Sequence, residues 1–211
     1  MIAAALSVLV VFMILVISEW LWRIKKLRGE FDRKFVHITV GSFVAFWPFY
    51  MSFHYIQLIS LAFLAVVIAS HALHIFKAVY TIKRRSWGDY LFAVGIGLSA
   101  LLTTSRWIFM AAILNLALAD GLAAVLGKRF GAETEYKVWG HTKSFIGSVT
   151  FWLTSTIILL TVLSLGTKVP QSSIMLIICL PLVATVVENT AVLGFDNVLV
   201  PLLVVLVLRL V

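Results

Sequence analysis

The sequence predicts an all-α integral membrane protein, a bundle of seven or eight transmembrane helices. Of its 211 residues, 62% are hydrophobic and only 12% are charged, and its mean hydropathy is +1.08. Soluble domains carry about 25% charged residues, whereas a bilayer accommodates long apolar runs as helices that satisfy their own backbone hydrogen bonds. This composition excludes an ordinary soluble fold, a disordered chain and a disulfide scaffold, because Cys179 is the single cysteine. We expect one polytopic membrane domain over residues 1–211.

The apolar residues form eight stretches, and a full span needs about 20 residues. Two of the stretches, 89–103 and 198–210, are short, which is why the predicted number of spans is seven or eight. The first stretch has no basic residue before it and a basic segment after it, the reverse of a cleavable signal peptide, so we expect a retained span. Glu19 and Arg23 are spaced to pair across one helical turn. The stretches are 2–22, 35–52, 56–76, 89–103, 107–126, 145–166, 172–192 and 198–210.

The basic residues lie mainly in alternate breaks between the stretches, and the net charge is +8. By the positive-inside rule the side that carries most of them is cytoplasmic, and the N-terminus is outside. Such charge favours anionic lipid or a phosphate-bearing substrate as a partner. A nucleic acid is not expected, since no nucleic-acid-binding module is recognised. The basic residues of these breaks are Arg23, Lys25, Lys26, Arg28, Arg33, Lys34, Lys77, Lys83, Arg84, Arg85, Lys128, Arg129, Lys137 and Lys143.

Three carboxylates are expected at one membrane level, near the cytoplasmic ends of their spans. Asp120 lies among small residues in the fifth stretch, Glu188 ends the seventh, and Asp196 follows the break at Gly194. An ionisable group inside a span is costly and is therefore a functional candidate. Oxygen ligands shared with phosphates are what Mg²⁺ prefers, so the three carboxylates predict a magnesium site. The alternative for Asp120 is a structural carboxylate paired with a neighbouring helix.

Cationic residues of the same face predict a phosphate site. Lys143 and Ser144 precede the sixth stretch, and a helix N-terminus with lysine and hydroxyl groups binds phosphate readily. Lys128 follows Gly127, but no Ser or Thr comes after it, so the segment is not a Walker A loop. Further candidates open the second and fourth stretches. Arg33, Lys34 and His37 stand at helical spacing to reach a phosphate or a head group, and Asp89 is a candidate to hold metal or lysine.

These segments, in this order, resemble the CTP-dependent polyprenol kinases, the family of dolichol kinase, phytol kinase and the CTP-dependent diacylglycerol kinase. The resemblance covers residues 30 to 205, and the compact length favours the phytol-kinase-like members. Where the family often has Gly-Lys-Ser, this chain has Thr142-Lys143-Ser144. The matching segments are Arg33-Lys34-Phe-Val-His37 with Gly41, Gly88-Asp89, Asp120-Gly121 with Gly127-Lys128 and Gly131, Lys143-Ser144-Phe-Ile-Gly147-Ser148, and Glu188 with Asp196-Asn197 and Pro201.

The resemblance implies transfer of the γ-phosphoryl group of CTP, with Mg²⁺, to the hydroxyl of a membrane-embedded isoprenoid alcohol or similar lipid. Lys143 and Asp120 would then be catalytic, and Asp120 would either orient or deprotonate the hydroxyl or share the metal. The lipid tail is expected between the helices. The remaining roles divide between the triphosphate, assigned to Arg33, Lys34, His37, Lys128, Ser144 and Asn197, and the metal, assigned to Glu188 and Asp196.

Two other functions stay open at this stage. A phosphatidate cytidylyltransferase also uses CTP at an Asp-rich cytoplasmic site, but its long Pro-Gly-His-Gly-Gly signature is absent from the sequence. A small lipid or ion transporter would use intramembrane carboxylates, but near the bilayer midplane, whereas these lie at the ends of their spans.

Overall fold

A computed structural model describes residues 2–24, 30–73, 87–166 and 174–210, which are almost entirely helical. Two 3₁₀ turns, Trp47–Phe49 and Ala132–Thr134, and one π-helical turn, Asn115–Ala119, join the helices. The prediction of a helical membrane protein is confirmed, while the number of spans stays a prediction. The helices are α1 (Ile2–Arg23), α2 (Glu30–Ala45), α3 (Phe53–Leu73), α4 (Gly88–Leu102), α5 (Arg106–Leu114), α6 (Asp120–Phe130), α7 (Phe145–Gly166), α8 (Ile174–Thr190) and α9 (Asp196–Leu208).

Within the described ranges, four helical segments are long and apolar enough to cross a membrane: Ile2–Arg23, Phe53–Ser70, Arg106–Phe130 and Phe145–Gly166. Helices α4 and α9 and most of α8 are apolar but shorter. The segment Arg106–Phe130 is 67% buried, against 17% for the first two segments. It is therefore the central helix, and α1 and α3 turn most of their apolar surface toward lipid.

The second predicted stretch, 35–52, is wrong in its bounds. Helix α2 begins at Glu30 and ends at Ala45, and a 3₁₀ turn with Pro48 follows it. Arg33 and Lys34, which precede the predicted stretch, belong to the first turns of α2. The helix ends before Pro48, because proline suits the first turn of a new helical segment. The predicted pair of Glu19 and Arg23 is confirmed, with 3.1 Å between Arg23 Nε and Glu19 Oε1.

Some of the residues that the sequence analysis used lie outside the described ranges. They are Lys25, Lys26, Arg28, Lys77, Lys83, Arg84 and Arg85.

The central helix changes its winding directly before Asp120. Residues Asn115–Ala119 form a π-helical turn between α5 and α6, a feature that often occurs at functional sites. Asn115 is completely buried there, and its amide group donates to the carbonyl of Ala111 at 2.9 Å. The turn directly precedes Asp120, the first residue of α6, and so sets the direction of the Asp120 side chain from the central helix.

Two close approaches bring other helices to this point. A Cβ atom on Gly41 of α2 would overlap the side chain of Ala117, and one on Gly95 of α4 would overlap the backbone carbonyl of Asn197. Only glycine allows backbones to pack so closely. These two glycines therefore let α2 reach the π-helical turn and let α4 support the first turn of α9.

A β-hairpin, which the sequence analysis did not predict, lies between α6 and α7. Strands β1 (Glu135–Val138) and β2 (His141–Ser144) are antiparallel, with Tyr136 opposite Lys143. Trp139 and Gly140 form the two-residue turn with φ of 50° and 79°, as a type I′ hairpin turn requires. The hairpin places Lys143 immediately before α7.

Candidate active site

The three predicted carboxylates meet at one place. One oxygen each from Asp120, Glu188 and Asp196 lie within 4.8 Å of one another, and among the described residues this is the group that could hold a metal ion. Asp120 and Glu188 are buried, at 4% and 6% exposure. Like charges so close repel one another in a medium of low dielectric constant, so the arrangement requires cations nearby.

Helix α2 supplies the first of these cations. Lys34 Nζ donates to Asp120 Oδ2 at 2.6 Å, and both side chains are almost fully buried. His37, one turn along the same helix, places Nε2 3.1 Å from the same oxygen and 2.8 Å from the carbonyl oxygen of Leu116 in the π-helical turn. The Asp120 carboxylate is thus fixed by two side chains from another helix.

The hairpin supplies the second cation. Lys143 Nζ lies 2.5 Å from Glu188 Oε1 and 3.0 Å from the Glu188 carbonyl oxygen. Burial lowers the pKa of Lys143, but the adjacent Glu188 carboxylate outweighs it, so this pKa lies above the ordinary value of 10.5. Lys143 therefore carries its positive charge at every physiological pH.

A hydrogen-bonded group fixes the hairpin against α7 and α8. The Tyr136 hydroxyl lies 2.6 Å from Ser148 Oγ and donates to Asn189 Oδ1 at 2.8 Å. Ser148 Oγ also donates to Asn189 Oδ1, at 3.0 Å. Since Asn189 follows Glu188, these bonds set the hairpin beside the carboxylate that Lys143 contacts.

Ser144 has a structural role that the sequence analysis did not assign. Its Oγ accepts a hydrogen bond from the backbone N–H of Gly147 at 3.1 Å, which makes it the N-cap of α7. A Cβ atom on Gly127 or Gly131 would overlap this hydroxyl. The glycines of this segment therefore bring the end of α6 against the first turn of α7.

The three carboxylates and the two lysines that contact them line one open pocket with a volume of about 530 Å³. The pocket reaches from the carboxylates to the hairpin and to Lys128 near the end of α6. The Lys128 ammonium lies 5.7 Å from the centre of the Phe31 ring. Nine of the predicted site residues line this pocket: Arg33, Lys34, Asp120, Lys128, Lys143, Ser144, Glu188, Asp196 and Asn197.

Two predicted residues lie elsewhere. His37 does not line this pocket but contacts Asp120 at its edge. Asp89, at the start of α4, lies outside the carboxylate group and lines a second pocket.

Sequence reasoning missed Tyr136 as a member of the site. The alternating pattern of Glu135-Tyr136-Lys137-Val138 before Trp139-Gly140 is a signal for a hairpin, and it could have identified the strand. The contact of Tyr136 with Asn189 is formed between distant segments and has no local signal.

Fold and site together define a multi-pass membrane protein with an acidic and cationic pocket where several of its helices end. The chain is 31% identical to a phytol kinase of Synechocystis sp. over 95% of its own length and 88% of that protein. No protein-family model matches it, and no solved structure matches it. The extent of this similarity shows that the chain belongs to the polyprenol and phytol kinase family.

Proposed function

We propose that the protein is a membrane lipid kinase that transfers the γ-phosphoryl group of CTP to the hydroxyl of an isoprenoid alcohol of the phytol, dolichol or polyprenol type. The observation that carries the proposal is the single pocket in which Asp120, Glu188 and Asp196 face Lys34 and Lys143. The acceptor class rests on the relationship to phytol kinase. The choice of CTP rests on the resemblance of the motifs to the CTP-dependent family.

The carboxylates fit a magnesium ion. Mg²⁺ prefers oxygen ligands, with one or two protein carboxylates and the substrate phosphates completing its shell. Asn197, which also lines the pocket, has a buried Oδ1 with no hydrogen-bond partner among the described residues. We assign Glu188 and Asp196 to the metal, with Asp120 as a further ligand or as the base. When bound, the ion supplies neutralising charge for the phosphates.

The two lysines are positioned to exchange partners. In the structure Lys34 and Lys143 neutralise Asp120 and Glu188. Glu188 and Asp196 would hold the metal ion, which would supply neutralising charge beside them. Each ammonium group, carried on a flexible stem, would then be within reach of phosphate oxygens. Lys128 and the N-terminus of α7, which Ser144 caps, complete this phosphate side of the pocket.

The proposed transfer is a displacement at phosphorus. The alcohol oxygen bonds to the γ-phosphorus as the bond from that phosphorus to the bridging oxygen breaks, and CDP leaves. Where Asp120 acts as the base, the hydroxyl proton passes to its carboxylate, which His37 holds in place. In such reactions a protein contributes mainly positioning and charge neutralisation, and both are what this pocket offers.

We further propose that the chain has seven or eight spans, with the pocket on the cytoplasmic side and the N-terminus outside. The described basic residues Lys128 and Arg129 lie in the last turn of α6, and Lys137 lies in strand β1 of the hairpin. The positive-inside rule assigns that end of the bundle to the cytoplasm.

The test is transfer of label from γ-labelled CTP, with ATP in parallel, to a panel of acceptors by detergent-purified protein in the presence of Mg²⁺. The panel contains phytol, geranylgeraniol, a long polyprenol and diacylglycerol, and a reaction with EDTA is the control for the metal. Label in an isoprenoid alcohol supports the proposal. Pyrophosphate release with phosphatidate, and no lipid label, would indicate a cytidylyltransferase. The absence of both labelled lipid and released pyrophosphate would favour a transporter.

A further inference from the structure

A second pocket, distinct from the acidic one, lies among helices α1 to α4. Its volume is about 60 Å³, and its walls are mainly apolar, with Leu15, Val40, Phe63, Val66 and Phe92 among them. The site described above uses none of these five side chains. We call this cavity the apolar groove.

The groove has one polar end. Arg33 in the first turn of α2 and Asp89 in the first turn of α4 line it, together with Ser70 in the last turn of α3. Val40 is seven residues further along α2 than Arg33, about 10 Å along the helix axis. The groove therefore runs from a polar end, at the level where α2 and α4 begin, toward the apolar interior of the bundle.

The polar end of the groove adjoins the acidic pocket. Arg33 lines both cavities. His37 lines the groove, and its Nε2 lies 3.1 Å from Asp120 Oδ2, which belongs to the acidic pocket. The imidazole ring of His37 also contacts an apolar side chain, since the centre of the Phe92 ring lies 4.6 Å from the imidazole centre. A molecule in the groove would thus have its polar head beside Arg33 and His37, next to Asp120 of the acidic pocket, and its body among aliphatic and aromatic side chains.

We propose that the apolar groove binds the part of the isoprenoid chain nearest the hydroxyl of the acceptor alcohol. This inference rests on the proposed kinase function and adds where the lipid lies. An amphipathic alcohol matches the groove because its single polar group reaches Arg33 and His37 while its branched carbon chain contacts Val40, Phe63 and Phe92. The nucleotide then approaches Asp120 from the acidic pocket, and His37 lies between Asp120 and the groove.

The size of the groove limits what it encloses. Pockets that surround a whole small molecule have volumes of about 300–1,000 Å³, several times the volume found here. The groove therefore holds about one isoprene unit, and the remaining chain lies along the lipid-facing side of α3, where Val66 is 50% exposed. Selectivity should depend on the carbon skeleton next to the hydroxyl rather than on total chain length.

The experiment uses the full-length protein in detergent with an isoprenoid alcohol that carries a diazirine close to its hydroxyl. Irradiation without nucleotide, followed by peptide mapping, should place the label on the groove-lining segments of α2, α3 or α4. Label spread evenly over the exposed face of α1 would overturn the inference, and so would label that excess phospholipid removes as easily as excess phytol. This measurement needs no turnover, so it separates failure of the groove from failure of the kinase proposal.

A matched pair of variants provides the kinetic test. Val66→Trp enlarges a side chain that lines the groove, and Ile68→Trp adds the same ring to the same helix at an exposed position that does not line it. We expect Val66→Trp to lower kcat/KM for the alcohol about tenfold with the KM for CTP unchanged, and Ile68→Trp to behave as the wild type. Equal effects of the two variants, or none from Val66→Trp, would contradict the inference.

Discussion

Asp120 is the residue at which the two halves of the site meet. It receives Lys34 and His37 from α2, it shares the carboxylate group with Glu188 and Asp196, and through His37 it is linked to the apolar groove. A buried carboxylate left without its cation is strongly destabilising, which explains why a helix as distant in sequence as α2 is packed against it.

Asp120→Asn should lower the rate of lipid phosphorylation by at least about 100-fold, the scale of a lost general base. The measurement is transfer from labelled CTP by protein that elutes as a single species in size-exclusion chromatography. The substitution leaves Lys34 buried without its partner, so the double variant Lys34→Met/Asp120→Asn is the matched control for folding. Turnover near the wild-type rate in either well-folded variant would refute the role of Asp120.

Lys143 allows a prediction about pH and stability. Its pKa is raised above 10.5 by Glu188 in the folded state, and a raised pKa contributes stability that is complete below the unfolded-state pKa and disappears as pH rises through the folded-state pKa. We expect the thermal unfolding temperature to show no loss from this ion pair between pH 7 and about 10, and to fall at higher pH.

The comparison variant for this pH measurement is Lys143→Met/Glu188→Gln, which has neither charge. Its unfolding temperature should lack the additional loss above pH 10 that the wild type shows. If both proteins lose stability in parallel throughout the alkaline range, the Lys143–Glu188 pair is not the cause.

At the scale of elements, the hairpin is the part that carries Lys143 to the carboxylates. Tyr136 stands opposite Lys143 in the strand register and bonds to Ser148 and Asn189. It acts through the hairpin rather than on the substrate, so it is a positioning residue.

Tyr136→Phe should raise the KM for CTP by about three- to tenfold, because it removes the partly buried hydrogen bonds to Ser148 and Asn189, and a hydrogen bond contributes about 0.5–1.5 kcal/mol. The KM for the lipid alcohol should not change, because the groove lies among other helices. The variant is measured in the labelled-transfer assay beside Tyr55→Phe, which removes a hydroxyl from the first turn of α3. A loss that is equal for both substrates, or equal in the two variants, would indicate a general effect on folding instead.

Local pattern explains which elements the sequence could predict. The apolar runs identified α1, α3, the central helix and α7 because hydropathy over a span is a property of consecutive residues. The α2 helix was placed too late, since its first turn is charged. The π-helical turn Asn115–Ala119 was not predicted, because hydropathy does not distinguish it from an α-helix, and the bond of Tyr136 to Asn189 was not predicted, because it joins segments distant in the chain.

Charge in apolar surroundings explains which candidate site residues the sequence could indicate. Residues such as Asp120 and Glu188 are conspicuous in apolar surroundings because burying a charge is costly. The sequence could not show that Lys34 pairs with Asp120 and Lys143 with Glu188, because the pairing depends on how α2 and the hairpin pack. It also could not show that the Ser144 hydroxyl caps α7.

For the whole molecule, the proposed orientation makes the hairpin cytoplasmic. Trp139 at its turn is 78% exposed, so Trp139→Cys in a Cys179→Ala background gives one accessible thiol. In intact cells a membrane-impermeant maleimide should leave this thiol unlabelled, and after permeabilisation it should label fully. Thr104→Cys in the same background, exposed in the connection between α4 and α5, is the control for a thiol on the other side of the membrane. Labelling of Trp139→Cys in intact cells would contradict the proposed orientation and place the hairpin outside.

The short helices beside the site have a consequence for the surrounding bilayer. Helix α4 has 15 residues and α9 has 13, about 22 and 20 Å in length, whereas the hydrocarbon layer is about 30 Å thick. Their first residues are at the carboxylate end, so the membrane must thin there or the acidic pocket must sink below the head groups. The rate of lipid phosphorylation in vesicles should therefore be highest in phosphatidylcholines of shorter acyl chain. A rate that rises steadily with bilayer thickness would show that these helices impose no mismatch.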